Sequence, residues 1–305
     1  QPANFMFSNI GPKWTHNWLT YIEDSPTNTT AAVKRIVGGG GSMTYGGFNN
    51  ATGEYTSARQ DTAKLVRTTL TPVTYERRLP NGGVEVYAQS DAAVSGTRRV
   101  FLTQKIDPQG RAVTLQYDAK LRLSSITDAL SQVTTLTYQG ADSLLIQSVV
   151  DPFGREAILT YNDRGRLQSI TDPVGIVSAF TYDSGDFINA MITPYGQTSF
   201  RYSGNGTSRW LEITDPLGET ERVEYGHSLG ISSTVRDLPA GDVLTRNNYH
   251  NYRNTAYWDK ETFKQYGRNI SKAVVSHWLH TESGQSSGMM ETYKKPLENR
   301  VIYNY

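Results

Sequence analysis

Five histidines and four of the thirteen glutamates are the groups in this 305-residue chain singled out as candidates for metal binding or acid–base work. His277 and His280 stand three residues apart. On a helix that spacing puts two imidazoles on one face, ready to ligate zinc; on a strand it puts them on opposite faces. The segment that carries them, AVVSHWLH ending at His280, reads as a strand, so no metal site is expected. His16, His227 and His250 stand alone in sequence. Glycoside hydrolysis needs two carboxylates, one as acid and one as nucleophile or base. Glu23, Glu85, Glu212 and Glu291 are candidates, and no spacing prefers any of them. HExxH and the EF-hand loop are absent, and no catalytic residue, metal ligand or cofactor is assigned.

Two further segments invite a binding reading. Gly38 to Gly41 is a run of four glycines. A phosphate cradle needs a Gly-Lys-Ser/Thr ending and a following helix, and GGGGSMTYGG has neither, which leaves a hairpin tip or sharp bend. NYHNYRNTAYW holds Tyr249, Tyr252, Tyr257 and Trp258. Such rings either stack on a sugar as an exposed platform or pack as core, and buried aromatics are the default in a β-rich body. The four sequons at Asn28, Asn50, Asn205 and Asn269 matter only in a eukaryotic secretory route.

Composition narrows the class. Aromatics reach 11%, with 19 tyrosines, against 37% hydrophobic and 19% charged residues. That suits β-structure and argues against disorder. A net charge of +1 offers no attraction to nucleic acid. The chain has no cysteine, which removes disulfides and thiolate chemistry. No apolar stretch is long enough for a transmembrane helix. A start at Gln1 and a strand-like ending, VIYNY, lead us to expect a piece of a longer or processed polypeptide.

The elements that must position any site come from a repeat. Asp107-Pro-Gln-Gly110 leads to Tyr117, Asp128-Ala-Leu-Ser131 to Tyr138, and Asp151-Pro-Phe-Gly154 to Tyr161. Asp172-Pro-Val-Gly175 leads to Tyr182, Thr193-Pro-Tyr-Gly196 to Tyr202, and Asp215-Pro-Leu-Gly218 to Tyr225. The tyrosine falls ten positions after the first turn residue in five units and nine in the one at Thr193, and the starts are spaced by 21, 23, 21, 21 and 22. Asp suits the first position of a type I turn, Pro the second and Gly the fourth. The residue two before each tyrosine is apolar (Leu115, Leu136, Leu159, Phe180, Phe200, Val223), so each unit carries an apolar-x-Tyr pair on one strand face. A second turn, clearest at Asn162-Asp-Arg-Gly165, leads to a second short apolar strand. Each unit is therefore a hairpin, and neighbouring hairpins are expected to share one antiparallel strip with the tyrosines as its core.

These residues resemble the Rhs or YD-repeat family, whose pattern is a D-P-x-G-R turn, a strand ending in Y-D or Y-N, and a G-R-L start to the next strand. DPQGRAVTLQYDAKLRLSSITDA and DPFGREAILTYNDRGRLQSITDPVG follow it closely, and the match is clear over 107–235. GPKWTHNW at 11–18 and YERRLPNGGVEVYAQ are similar to segments that precede the first repeat. Leu238 to Gly241 with Tyr249, and Lys295-Pro296 to Tyr305, resemble degenerate repeats. The resemblance implies a strip that coils into a spiral shell; in large members the shell encloses a toxin domain, and in animal relatives it is part of an adhesion protein. The aspartate dyad of the self-cleaving Rhs terminus is absent, so neither protease nor toxin activity is carried over.

The expected architecture is all-β: a non-repetitive N-terminal region over 1–104, six repeats over 105–236, and divergent repeats with an inserted aromatic hairpin over 237–305. The expected role is a structural, non-enzymatic segment of a secreted or cell-surface protein. Its expected partners are the rest of a longer polypeptide, other copies through open sheet edges, an enclosed effector or a surface glycan. A carbohydrate or receptor-binding module, and a polysaccharide-active enzyme, are the alternatives.

Overall fold

The computed structural model describes residues 9–56, 62–231, 250–280 and 286–303. It is nearly all β, and its 22 strands are assigned to one antiparallel sheet. The chain divides into two compact units, Gln1–Ala179 with Ser184–Phe187, and Phe180–Asp183 with Ile188–Tyr305.

The first unit opens with β1 (Tyr21–Asp24), β2 (Val33–Ile36), β3 (Ser42–Tyr45), β4 (Lys64–Leu70), β5 (Val73–Arg78), β6 (Val84–Ser90) and β7 (Arg98–Ile106). Gly38–Gly41 form the tip between β2 and β3, where Gly40 donates to the Val37 carbonyl and Val37 to the Gly41 carbonyl. Gly39, Gly40 and Gly41 all have positive φ, which explains glycine at this tip. The Asn81-Gly82-Gly83 signal likewise joins β5 to β6.

Strand β7 is a fork. Arg98–Phe101 pair with β1, and Gln104–Ile106 pair with β8 (Ala112–Tyr117), while β6 runs along most of β7. From β8 the repeat proceeds through β9 (Leu123–Thr127), β10 (Val133–Tyr138), β11 (Ile146–Val150), β12 (Glu156–Tyr161), β13 (Leu167–Thr171) and β14 (Val177–Tyr182). Each strand pairs antiparallel with the next. The main core gathers at the fork, from Ile22, Val33, Tyr45, Tyr55, Leu65, Val73, Tyr75, Tyr87, Val100, Leu102, Leu115 and Leu123.

The second unit continues with β15 (Ile188–Thr193), β16 (Gly196–Gly204), β17 (Ser208–Thr214), β18 (Thr220–Gly226), β19 (Asn254–Trp258), β20 (Val274–His280), β21 (Ser286–Lys294) and β22 (Val301–Ile302). These also pair in chain order. The inserted hairpin expected from KAVVSHWLH and MMETYKK is β20–β21. A helix that the hairpin reading had not included, α1 (Lys260–Tyr266), lies between β19 and β20. Asp259 caps it by accepting from the Thr262 amide at 2.7 Å, and Gly267 ends it at φ 56°.

No helix among the described residues is long and apolar enough to cross a membrane.

Candidate functional site

The repeated feature is a turn and a tyrosine, each held by one recurring set of hydrogen bonds. At Asp151 the Gly154 amide donates to the Asp151 carbonyl at 3.0 Å, and Asp151 donates to the Arg155 carbonyl at 2.9 Å. This is a type I turn followed by a left-handed glycine that starts a bulge; Gly154 sits at φ 80°. The Asp151 carboxylate accepts from the amides of Phe153 and Arg155, both at 2.9 Å, and from Arg155 Nε at 2.6 Å. Asp107 repeats the pattern with Gln109 and Arg111. Asp172 and Asp215 repeat its backbone part, with Gly175 and Gly218 in the same left-handed position. The turn at the other end of the hairpin has the same form: Asn162 accepts from Arg164 and Arg166, and Asp118 from Lys120 and Arg122.

These hydrogen bonds hold the Asp107 and Asp151 carboxyl groups low. At Asp107 the Arg111 amide leads the lowering; at Asp151 burial pulls upward, but the Arg155 amide and guanidinium outweigh it. The repeated aspartates are thus occupied as turn acceptors.

The repeat tyrosines do not form the core. Tyr117, Tyr138, Tyr161, Tyr182 and Tyr225 are half-buried, and Tyr202 is 37% exposed. The aliphatics Leu115, Leu123, Ile146, Leu159 and Leu167 are buried more deeply than these tyrosines. The tyrosines instead use their hydroxyls. Tyr117 donates to the Leu102 carbonyl at 2.7 Å, Tyr138 to that of Leu123 at 2.8 Å, and Tyr161 to that of Ile146 at 2.6 Å. Each acceptor lies 15 residues back, on the strand preceding the tyrosine's own. The ladder shifts register at each of these tyrosines. Burial pushes the Tyr117 hydroxyl up, which keeps it a proton donor. Tyr202 departs from the rule: it reaches the Asp183 carboxylate, a contact that pushes its hydroxyl up to about 12.

The sixth unit corrects the expected facing. On β18 the buried side chains are Arg222 and Glu224, and the Val223–Tyr225 pair is half-buried. Arg222 lies 4.3 Å from the Trp210 ring centre and pairs with Glu212 at 2.6 Å and Glu224 at 2.8 Å; Arg268 adds a second cation to Glu224 at 2.6 Å. Charges satisfied by one another tolerate such burial.

The four candidate glutamates have structural partners. Glu23 is 3.5 Å from Arg99. Glu212 belongs to the cluster just described. Glu85 accepts from Arg35 and Arg77 at 3.0 Å each and from Tyr87 at 3.1 Å, all buried in the first unit. Burial raises its carboxyl, but the two guanidiniums prevail and hold it low. In the same unit Asp24 takes a bidentate pair from Arg98 and a hydrogen bond from Tyr75 at 2.5 Å. Burial pushes the Tyr87 hydroxyl up to about 12.

Glu291 has different company. Its Oε2 lies 3.2 Å from His277 Nε2, and a ligand atom from each of His250, His277 and Glu291 falls within 4.8 Å of the others. His277 is 0% exposed, whereas His280 is exposed, as expected for a three-residue spacing on a strand. Sequence spacing could not bring His250 and Glu291 into view, because a turn and two strands assemble the cluster.

The aromatic platform does not assemble as one face. Trp258 is 2% exposed and donates its indole N–H to the Asn269 carbonyl at 2.9 Å, packed with Ala256, Ala273 and Val275. Tyr257 points to the other side of β19, its hydroxyl on Glu221 at 2.6 Å, and Tyr252 is exposed in the preceding turn. Tyr249, like the Leu238–Gly241 turn and Tyr305, lies outside the described residues.

The RHS Repeat family model matches residues 117–156 and 161–198, each stretch beginning on a ladder tyrosine. These two stretches match the RHS repeat. No curated protein matches it. Among solved structures it is similar to a TcdB2-TccC3 structure without the hypervariable C-terminal region, at 11% identity and TM-score 0.31, covering 86% of this chain and 14% of that one. TcdB2-TccC3 itself gives 10% identity and TM-score 0.30 over 82% and 16%, and the complex titled TcdB2-TccC3-Cdc42 gives 11% and 0.31 over 86% and 14%. The chain thus spans about a seventh of the length of these chains.

Proposed function

We propose that this chain is a non-enzymatic wall segment of an exported RHS-repeat protein, used for encapsulation, scaffolding or surface presentation. The observation that carries the reading is the recurring tyrosine–carbonyl bond. Tyr117, Tyr138 and Tyr161 each tie their strand to the one before it by the same contact, so the recurring side chain of the unit is spent on extending a sheet. The repeated aspartates are likewise spent on turns. A device that recurs from unit to unit suits a wall, whereas catalysis needs a singular constellation.

Limited proteolysis of the native chain, followed by mass spectrometry, tests it. A wall segment protects the repeats from Asp107 to Thr171 together and releases them together. Stepwise cleavage at successive Asp-Pro-x-Gly turns would refute it. So would turnover on a glycan panel that one carboxylate substitution abolishes.

A further inference from the structure

The cluster of His250, His277 and Glu291 has the composition and the supports of a metal centre. Two imidazoles and a carboxylate are a donor set for a divalent transition ion, zinc foremost, with a position left for water or another ligand. Tetrahedral zinc with donors at ~2.0–2.2 Å separates neighbouring donor atoms by ~3.4 Å. His277 Nε2 and Glu291 Oε2 already stand at 3.2 Å, and the third donor falls within the 4.8 Å that encloses the set. Both histidines are buried, and their rings lie 5.0 Å apart.

Two independent features aim these groups. First, His277 Nδ1 is 3.2 Å from Asn254 Oδ1. The Asn254 amide nitrogen is itself committed as donor to the His250 and Tyr252 carbonyls, at 2.7 and 3.1 Å, which fixes its oxygen toward the ring. The imidazole then carries its proton on Nδ1 and presents the Nε2 lone pair to Glu291 and His250. An outer hydrogen bond to a ligand's other nitrogen is the usual support of a metal-bound histidine. Here one side chain both sets that tautomer and holds the His250 backbone. Second, the β20–β21 ladder slips at this point: His277 pairs with Thr292, but Trp278 pairs with Met290. Glu291 is the extra residue of a β-bulge. Regular pairing would place it opposite Trp278 and turn it to the other face; the bulge turns it to the face of His277.

We propose that His250, His277 and Glu291 bind one zinc ion, which clamps the turn before β19 to the β20–β21 hairpin. Asn254 is a positioning residue for His277. The site lies wholly in the second unit and does not depend on the wall reading.

The test uses the full chain without a polyhistidine tag, stripped with chelator and dialysed. Calorimetric titration with zinc alone should give one ion per chain, and cobalt substitution should give the intense visible bands of a low-coordinate site. Glu291→Gln and His250→Ala should each weaken zinc binding at least tenfold with the strand circular dichroism unchanged. His280→Ala should leave it unchanged. Absence of stoichiometric zinc together with a cobalt spectrum like that of the aqueous ion would overturn the proposal, whatever the stability of the variants. Equal losses in Glu291→Gln and His280→Ala would overturn it too, as adventitious surface binding.

Discussion

Tyr161 on β12 donates its hydroxyl to the carbonyl of Ile146, the first residue of β11, at 2.6 Å. The repeat tyrosine therefore acts as a cross-strand hydrogen-bond donor at the point where the ladder slips.

Removing only that hydroxyl should therefore cost stability. Tyr161→Phe leaves a half-buried carbonyl without its donor, a loss of ~1 kcal/mol. Tyr138→Phe should cost a similar amount, since its bond to Leu123 is equivalent. Denaturant midpoints with unchanged slope would show it. A Tyr161→Phe midpoint equal to the parent's would mean that the ring alone matters.

The left-handed turn position offers a gain. Ser131 occupies it at φ 63°, where the five other units place glycine, and it is exposed. A non-glycine residue there costs ~1–2 kcal/mol, against ~0.5–1 kcal/mol for the extra freedom of an unfolded glycine. Ser131→Gly should stabilise by up to ~1 kcal/mol, and Gly154→Ala should destabilise by about as much. Thermal unfolding of the pair checks both signs.

Acid should weaken the turns. Asp107 and Asp151 have carboxyl groups held below their ordinary value by amide and arginine hydrogen bonds. A group whose folded pKa is depressed adds stability above its unfolded pKa, about 3.9 for Asp, and loses it as pH falls through the lower folded value. Asp107→Asn with Asp151→Asn should make stability vary less with pH below ~4. Urea titrations from neutral pH downward would reveal an unchanged slope if the turns contribute nothing.

The buried charges of the first unit are more sensitive. Glu85→Gln leaves Arg35 and Arg77 without their shared carboxylate. Stranding buried cations should cost ~3 kcal/mol or more. Glu76→Gln, whose partner Arg78 is exposed, should cost well under ~1 kcal/mol. Equilibrium unfolding of the two variants side by side separates these outcomes.

Local chemistry was legible wherever one short segment decides the structure. The Asp-Pro-x-Gly turns, the Gly38–Gly41 tip, the Asn81–Gly83 turn and the opposite facing of His277 and His280 all follow from residues close in sequence. The second acceptance by Asp151, from the Arg155 amide, needs the geometry of the left-handed glycine and is invisible in composition. Tyrosine burial was overestimated because a periodic aromatic signals a role without saying which end of the ring does it. Burial of Arg222 and Glu224 depends on Glu212, Trp210 and Arg268, and no period marks that meeting. The His250–His277–Glu291 cluster depends on a bulge that re-aims one side chain.

The forked strand β7 separates two kinds of heredity. On one part of its edge it meets β1, which belongs to an irregular body of singular contacts; on the next part it meets β8, where a series of interchangeable hairpins begins. Each of those hairpins offers its successor a similar edge and a similar carbonyl for the incoming tyrosine. Duplication or loss of one hairpin would leave that offer intact, so the strip could change length by a whole unit without altering the contacts before the fork.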